Sequence, residues 1–331
     1  MIHPSKNRVT ALLGLVAALA LAHPLTAEAK HRKVHKTHAV ATRTSKTASV
    51  RPAAYVPPTP TFAEQQGLHG GEGDPVGLKS AVALVLDQDT NEVLVAKNPD
   101  AVLPIASITK LMTAMVVTEA HQDMDEELTV TDDDVDKIKH SSSRLAVGTK
   151  LTRGEMLHLA LMASENRAAH ALGRSYPGGL PAFVAAMNAK AKELGMGDTR
   201  YVEPTGLSSD NQSSAHDLAL LVKAAHEQPL LRELSTSKEY QVAIGRRQVA
   251  FHSTNALVRG GHWDIGLQKT GFINEAGRCM VMQAQLAGRH LIMVLLDSAG
   301  KYTRFADAER IRKWVETHGS KTVAEAPKVT S

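Results

Sequence analysis

Ser80-Ala81-Val82-Ala83-Leu84-Val85-Leu86, then Asp87 to Asn91, then Glu92-Val93-Leu94-Val95-Ala96 is the stretch from which the fold is read. Two apolar, β-branched runs on either side of a polar break predict a β-hairpin. A second pair comes late, Cys279 to Leu286 and Leu291 to Asp297, joined through Ala287-Gly288-Arg289. Between the pairs the apolar spacing is mostly helical. Pro104 and Ala106-Ser107 lead into Leu111-Met112-Ala114-Met115-Val116, and Thr152-Arg153-Gly154-Glu155 is a capping box ahead of Met156 to Met162. Further helices are predicted over Leu180 to Leu194, Ala215 to Ala225 and Phe305 to Val315. Strands at both ends of a helical middle predict an α+β fold: one antiparallel sheet flanked by helices, with a helical subdomain against one edge and a cleft between the two.

Outside that region the composition changes. In residues 1–29, Lys6 and Arg8 precede the apolar run Thr10 to Ala22, and Ala27-Glu28-Ala29 offers a small-residue cleavage site. This reads as a secretory signal peptide, and the run is too short to span a bilayer comfortably. The expected destination is the periplasm, with the product soluble or loosely membrane-associated. Residues 30–77 form a basic, Pro-containing tail or linker with little hydrophobic periodicity, expected to be disordered. Residues 78–318 suit one large domain with a substantial core, and 319–331 form a polar C-terminal tail.

The net charge of +4 is unevenly placed. Lys30 to Phe62 carries Lys30, Arg32, Lys33, Lys36, Arg43, Lys46 and Arg51 with no acid, which leaves −4 for everything beyond. Such a tail has the charge for weak contact with an anionic membrane or wall polymer, or it serves as a solvated spacer. No nucleic-acid partner is expected. His31, His35 and His38 lack further ligands to fix a metal geometry, so neither a metal nor another cofactor is expected. Cys279 is the single cysteine, which excludes an intramolecular disulfide, and its apolar neighbours predict a buried thiol.

Three motifs carry chemistry, in fixed order: Ser107-Ile108-Thr109-Lys110, Ser164-Glu165-Asn166 and Lys269-Thr270-Gly271. Ser and Lys three apart on a helix share a face, so Lys110 is within reach of the Ser107 hydroxyl. That hydroxyl is a poor nucleophile until a neighbour takes its proton. To do so near neutrality, Lys110 must fall from about 10.4 to near 7, on the order of 4 kcal/mol. Burial and a second cation push that way, and Lys269 is the expected second cation. Ser-x-x-Lys also occurs at Ser235 to Lys238 and Ser298 to Lys301, and Ser-x-Asn at Ser209 to Asn211 and Ser253 to Asn255. Only the set starting at Ser107 has its partners in order: Ser107 opens an apolar helix, Ser164-Glu165-Asn166 interrupts a helical pattern, and Lys269-Thr270-Gly271 lies in a strand-like run.

On these motifs, and on Ile105 to Ala114, His140 to Leu145, Leu159 to Ala169, Tyr201 to Ser209 and Gln268 to Phe272, the chain resembles the low-molecular-mass penicillin-binding proteins. These are serine D-alanyl-D-alanine peptidases with a β-lactamase/transpeptidase-like fold. The resemblance spans about Ser80 to Val315 and is strongest to D-alanyl-D-alanine endopeptidases of the penicillin-binding protein 7 type. It implies Ser107 as acylated nucleophile, Lys110 as proton acceptor and Ser164 as relay to the leaving amine. Asn166, Lys269, Thr270 and Gly271 would bind substrate, and the backbone N–H groups of Ser107 and Phe272 would form the oxyanion hole. It implies peptidoglycan peptide cross-links as substrate and β-lactams as inhibitors. Glu165 is expected to face away from the Ser/Asn pair and receives no role.

Three other functions compete. A D-alanyl-D-alanine carboxypeptidase would use the same residues. A serine β-lactamase needs a base for its deacylating water, and Glu203-Pro204-Thr205-Gly206-Leu207 lacks the expected Glu-x-x-Leu-Asn pattern. A non-catalytic wall-binding protein would have no need of Ser107, Lys110, Ser164, Asn166 and Lys269 all intact.

Overall fold

The two expected strand pairs form, and they join into one sheet. β1 (Ser80–Asp87) and β2 (Val93–Lys97) make the first hairpin; β3 (Asp264–Ile273), β4 (Gly277–Leu286) and β5 (Arg289–Ser298) make a meander. The order is β2-β1-β5-β4-β3, antiparallel throughout, so the first and last parts of the domain meet where β1 pairs with β5. The computed structural model describes residues 59–70 and 74–318, all within the compact unit Val56–Ser331. The signal peptide, most of the basic tail and the polar C-terminal tail expected from the sequence lie outside the described residues.

The sheet is apolar on both faces, and the period of two sorts its side chains between two cores. Ile292, Val294 and Leu296 of β5 join the larger core with the helical region. Leu291, Met293 and Leu295 join a smaller one. The C-terminal helix Thr303–His318 covers the smaller core with Phe305, Ala308, Ile311 and Val315. Each of the larger side chains removed from water, such as Phe305, Ile311 and Val315, contributes about 1.5–3 kcal/mol.

The middle of the chain supplies the helical region. α1 (Thr109–Glu119) is buried from Thr109 to Val117, as expected of a helix apolar on all sides. α2 (Arg153–Met162) opens with the predicted capping box, the Thr152 hydroxyl accepting from Glu155 N–H. α3 (Asn166–Arg174), α4 (Gly179–Glu193), α5 (Ala215–His226) and α6 (Pro229–Thr236) complete it. A hairpin of Glu239–Ile244 and Arg247–His252 lies outside the main sheet. Edge strand β3 faces the turn before α1, and this juxtaposition creates the cleft.

One boundary differs from expectation: among the described residues, structure packed on the domain is already present at Thr61–Gln65, ahead of the expected start at Leu78. Phe62–Gln65 forms a single helical turn with a Thr61–Glu64 capping box, and Phe62 N–H donates to the Glu275 carbonyl. Only Ala63 of that turn is buried, too weak an apolar signal to stand out among Pro and Thr.

Candidate active site

Ser107 lies in a 3₁₀ turn, Ala106–Ile108, that runs directly into α1. Ala106 holds φ at 47°, a left-handed conformation costly for a residue with a β-carbon. One turn on, Lys110 is fully buried. Its Nζ is 2.9 Å from Ser107 Oγ, 2.7 Å from Asn166 Oδ1 and 2.6 Å from the Thr205 carbonyl oxygen. Burial brings Lys110 down to about 7, against the opposing pull of Glu203, Glu165 and Asp136.

The orientation of this amine follows from its partners. Thr205 O only accepts. Asn166 Nδ2 donates to Ser141 Oγ at 2.9 Å, so its Oδ1 is turned to Lys110 and only accepts as well. A neutral amine has two N–H donors and one lone pair. Two obligate acceptors take the donors, and the lone pair is left for the Ser107 hydroxyl proton.

The second motif falls between α2 and α3. Ser164 is held at φ 60°, and its Oγ is 2.8 Å from Lys269 Nζ. Lys269, in β3, is fully buried and also donates to its neighbour's carbonyl, Thr270 O, at 2.9 Å. Burial, then the nearby Lys110 and Arg304, hold Lys269 well below its ordinary value. Burial is the main cause for both lysines, and the expected effect of one cation on the other is seen at Lys269, which Lys110 helps to lower. Thr270 Oγ1 meets Thr254 Oγ1 at 2.6 Å. A β-carbon on Gly271 would stand 3.0 Å from Ser107 N, so the strand and the Ser107 turn approach closely enough that a side chain there would crowd them. Phe272 is 49% exposed beside them.

All of Ser107, Lys110, Ser164, Asn166, Lys269, Thr270, Gly271 and Phe272 thus converge on one cleft. The duplicate motifs stay apart. Ser235 is buried in α6 and bonded to Arg232 O, while Lys238 is exposed. Ser298 is buried at the end of β5, while Lys301 is exposed. Asn211 and Asn255 serve turns, Asn211 accepting from Val202 N–H and Asn255 from Leu257 N–H.

Two carboxylates have roles the motifs did not reveal. Glu165 accepts from Ser143 Oγ at 2.7 Å, which fastens the segment carrying Ser141. Burial raises its carboxyl above the usual range. Glu203 is enclosed by its own turn: Oε2 accepts from Thr205 N and Oγ1 at 2.6 and 2.5 Å, and Oε1 from Gly206 N and Asn211 Nδ2 at 2.6 and 2.9 Å. The turn so fixed presents Thr205 O to Lys110 and Pro204 O to Thr113 Oγ1. A carboxylate followed by Pro-Thr-Gly was the available signal. The lone thiol, Cys279, is buried and pushed up to about 12, far from a reactive state.

Residues 71–300 match the peptidase S11 family, D-alanyl-D-alanine carboxypeptidase. The chain belongs to this family of serine D,D-peptidases. A D-alanyl-D-alanine endopeptidase of Pseudomonas aeruginosa is 51% identical over 242 residues, covering 72% of this chain and 78% of that protein. One from Escherichia coli is 48% identical over the same shares. The solved Streptomyces K15 DD-transpeptidase is similar with a TM-score of 0.67 at 25% identity, covering 72% of this chain and 98% of that one.

Proposed function

We propose that the chain is a D-alanyl-D-alanine endopeptidase that hydrolyses peptidoglycan cross-links through an acyl-enzyme on Ser107, and that β-lactams inhibit it by acylating the same hydroxyl. The Lys110 lone pair aimed at the Ser107 hydroxyl carries the proposal. Ser107 Oγ attacks the D-alanyl carbonyl carbon as its proton passes to Lys110 Nζ. The oxyanion is received by the N–H groups of Ser107 and Phe272, which act without reorganising. Collapse breaks the C–N bond, and Ser164, bonded to Lys269, relays a proton to the departing amine. Water then cleaves the ester, regenerating Ser107 and releasing the acid. Asn166 holds Lys110 and the substrate backbone, while Lys269 and Thr270 hold a carboxylate beyond the cut, an anion that favours the charged form of Lys269.

The endopeptidase reading is supported by the identity to endopeptidases of two species, 51% and 48%. Residues 1–29 would direct the chain to the periplasm, and the basic tail would give it weak hold on anionic membrane or wall polymer. Among the described residues no helix is long and apolar enough to cross a membrane. Digestion of purified muropeptides tests the reading: cross-linked dimers should become monomers, with little D-alanine freed from pentapeptides. Abundant D-alanine with intact dimers would make it a carboxypeptidase.

A further inference from the structure

One ion pair joins the two banks of the cleft: Lys139 Nζ lies 2.5 Å from Glu275 Oε1. Lys139 belongs to the helical side, in a segment that Asp136 folds by accepting from the N–H groups of Ile138, Lys139 and Ser141 at 2.8, 2.9 and 2.7 Å. Two residues on, Ser141 Oγ accepts from Asn166, the residue that fixes Lys110. Glu275 belongs to the sheet side, in the turn between β3 and β4 and three residues after Phe272. Its carbonyl accepts from Phe62 N–H at 3.0 Å, which steadies the turn. Among the described residues this is the only ion pair between residues 136–143 and the main sheet.

The direction of β3 decides what meets this pair. Lys269 and Thr270 hold the carboxylate beyond the cut, and the N–H groups of Ser107 and Phe272 receive the oxyanion, so the strand runs from the departing side toward the acylated side. Past Phe272 it reaches Glu275 within roughly 10 Å, three residues at about 3.3 Å each. The other bank runs the same way, from Asn166 through Ser141 to Lys139. The stem that stays on Ser107 lies between these banks, and an extended peptide covers the distance in about three residues. No backbone passes between Lys139 and Glu275 while their contact stands.

That contact is easily exchanged. The two side chains are 29% and 30% exposed, a setting in which an ion pair is weak and screened by salt. Glu275 is the one hydrogen-bond partner of the Lys139 ammonium among the described residues, and Glu275 Oε2 has none. A peptide carboxylate therefore meets an ammonium with two unused donors. The buried acids of the Lys139 segment are engaged elsewhere, Asp136 on the three N–H groups above and Asp134 on His170 and Arg174.

We propose that Lys139 selects the acylated stem: it leaves Glu275 and pairs with a carboxylate that this stem carries about three residues behind the cut. Glu275 holds the place of that carboxylate while the cleft is empty. The assignment rests on the acyl-enzyme reading and is the same for an endopeptidase or a carboxypeptidase, since both acylate Ser107 with this stem.

The test uses synthetic cross-linked stem peptides in which that carboxylate is free or amidated, with wild type, Lys139→Met and Glu275→Gln. Acylation by a fluorescent penicillin, which brings no stem, is the control. Wild type should prefer the free acid to the amide roughly tenfold in kcat/KM, mainly through KM. Lys139→Met should lose the preference by dropping to the amide's rate on the free acid. Glu275→Gln should keep it and lower KM for the free acid about two- to fivefold, because the competing carboxylate is gone. Penicillin acylation should stay within about threefold of wild type in both variants. A preference absent from wild type, retained by Lys139→Met or lost in Glu275→Gln would overturn the assignment. So would penicillin acylation falling about tenfold in both variants, the mark of a pair that only holds the banks in place. Failure of penicillin to label Ser107 in wild type would remove the acyl-enzyme reading itself, and the assignment with it.

Discussion

Gly206 stands so close to Ala106 that a β-carbon on it would fall 1.9 Å from the Ala106 carbonyl oxygen. Its φ of 80° is also one that only glycine adopts without strain. The turn that offers Thr205 O to Lys110 is thus seated on the turn that carries Ser107. Gly206→Ala is expected to lower stability by about 2 kcal/mol or more and to slow penicillin acylation at least about tenfold. Urea unfolding and stopped-flow labelling measure the two effects. Wild-type acylation in the variant would show that the seat does not position the nucleophile.

Glu203 belongs to the same seat, and its substitution separates two chemistries. If it only organises the turn, Glu203→Gln loses acceptor strength toward Thr205 and Gly206, and Lys110 loses a fixed partner. Acylation should then slow by about 10- to 100-fold, with the acyl-enzyme no longer lived than in wild type. A base for the deacylating water would produce the reverse, normal acylation and a trapped acyl-enzyme. Intact-mass spectrometry over time distinguishes them.

Lys110, held at about 7 by burial, makes both rate and stability depend on pH. As a base it must be neutral, so acylation should rise as pH increases through about 7 and level off above. Unfolded, the same lysine titrates near 10.4. Between these values the unfolded chain binds more protons, so this residue's contribution to stability improves as pH rises from 7 towards 10.4; below 7 its full penalty remains. Lys110→Met should therefore abolish acylation, by roughly a thousandfold or more, and unfold at higher temperature than wild type at pH 6. That advantage should shrink toward pH 10. Near-normal acylation by Lys110→Met would remove Lys110 from the role of base, and a constant stability gap would mean that burial does not hold its proton off.

Much of this was readable from the residues. The strand pairs follow from continuous apolar runs, which in β1, β4 and β5 are buried on both faces, and the site motifs from their order along the chain. Asn166 and Lys269 lie 56 and 159 positions after Lys110, yet one helix start and one strand edge bring them together. What sequence pattern conveys only weakly is backbone chemistry: Thr205 contributes a carbonyl, and Glu203, marked only by the Pro-Thr-Gly after it, holds the turn largely through N–H groups. α6 and the Glu239–His252 hairpin were also missed, because they are short and half exposed, with Gly245 at φ 60° the only strong turn signal. The N-terminal segment went unread for a related reason. It is held by hydrogen bonds to Glu275 and Asp297, and only Ala63 supplies a buried apolar contact.

The basic segment makes a prediction separate from the chemistry. Lys30 to Arg51 carries seven positive charges and no acid, and the residues beyond Phe62 carry a net −4. Thr61, which bonds Asp297, lies beyond it, so deleting residues 30–58 should leave the folded part and its site intact. Turnover of soluble muropeptides should be unchanged. Association with sacculi or with anionic vesicles should weaken, and the difference from the full chain should fade between low salt and about 0.15 M or more, where the Debye length falls to about 8 Å. Co-sedimentation of both forms across that salt range measures it. Equal sedimentation at every salt concentration, with sacculi and with vesicles, would make the segment a spacer that holds the enzyme off the surface.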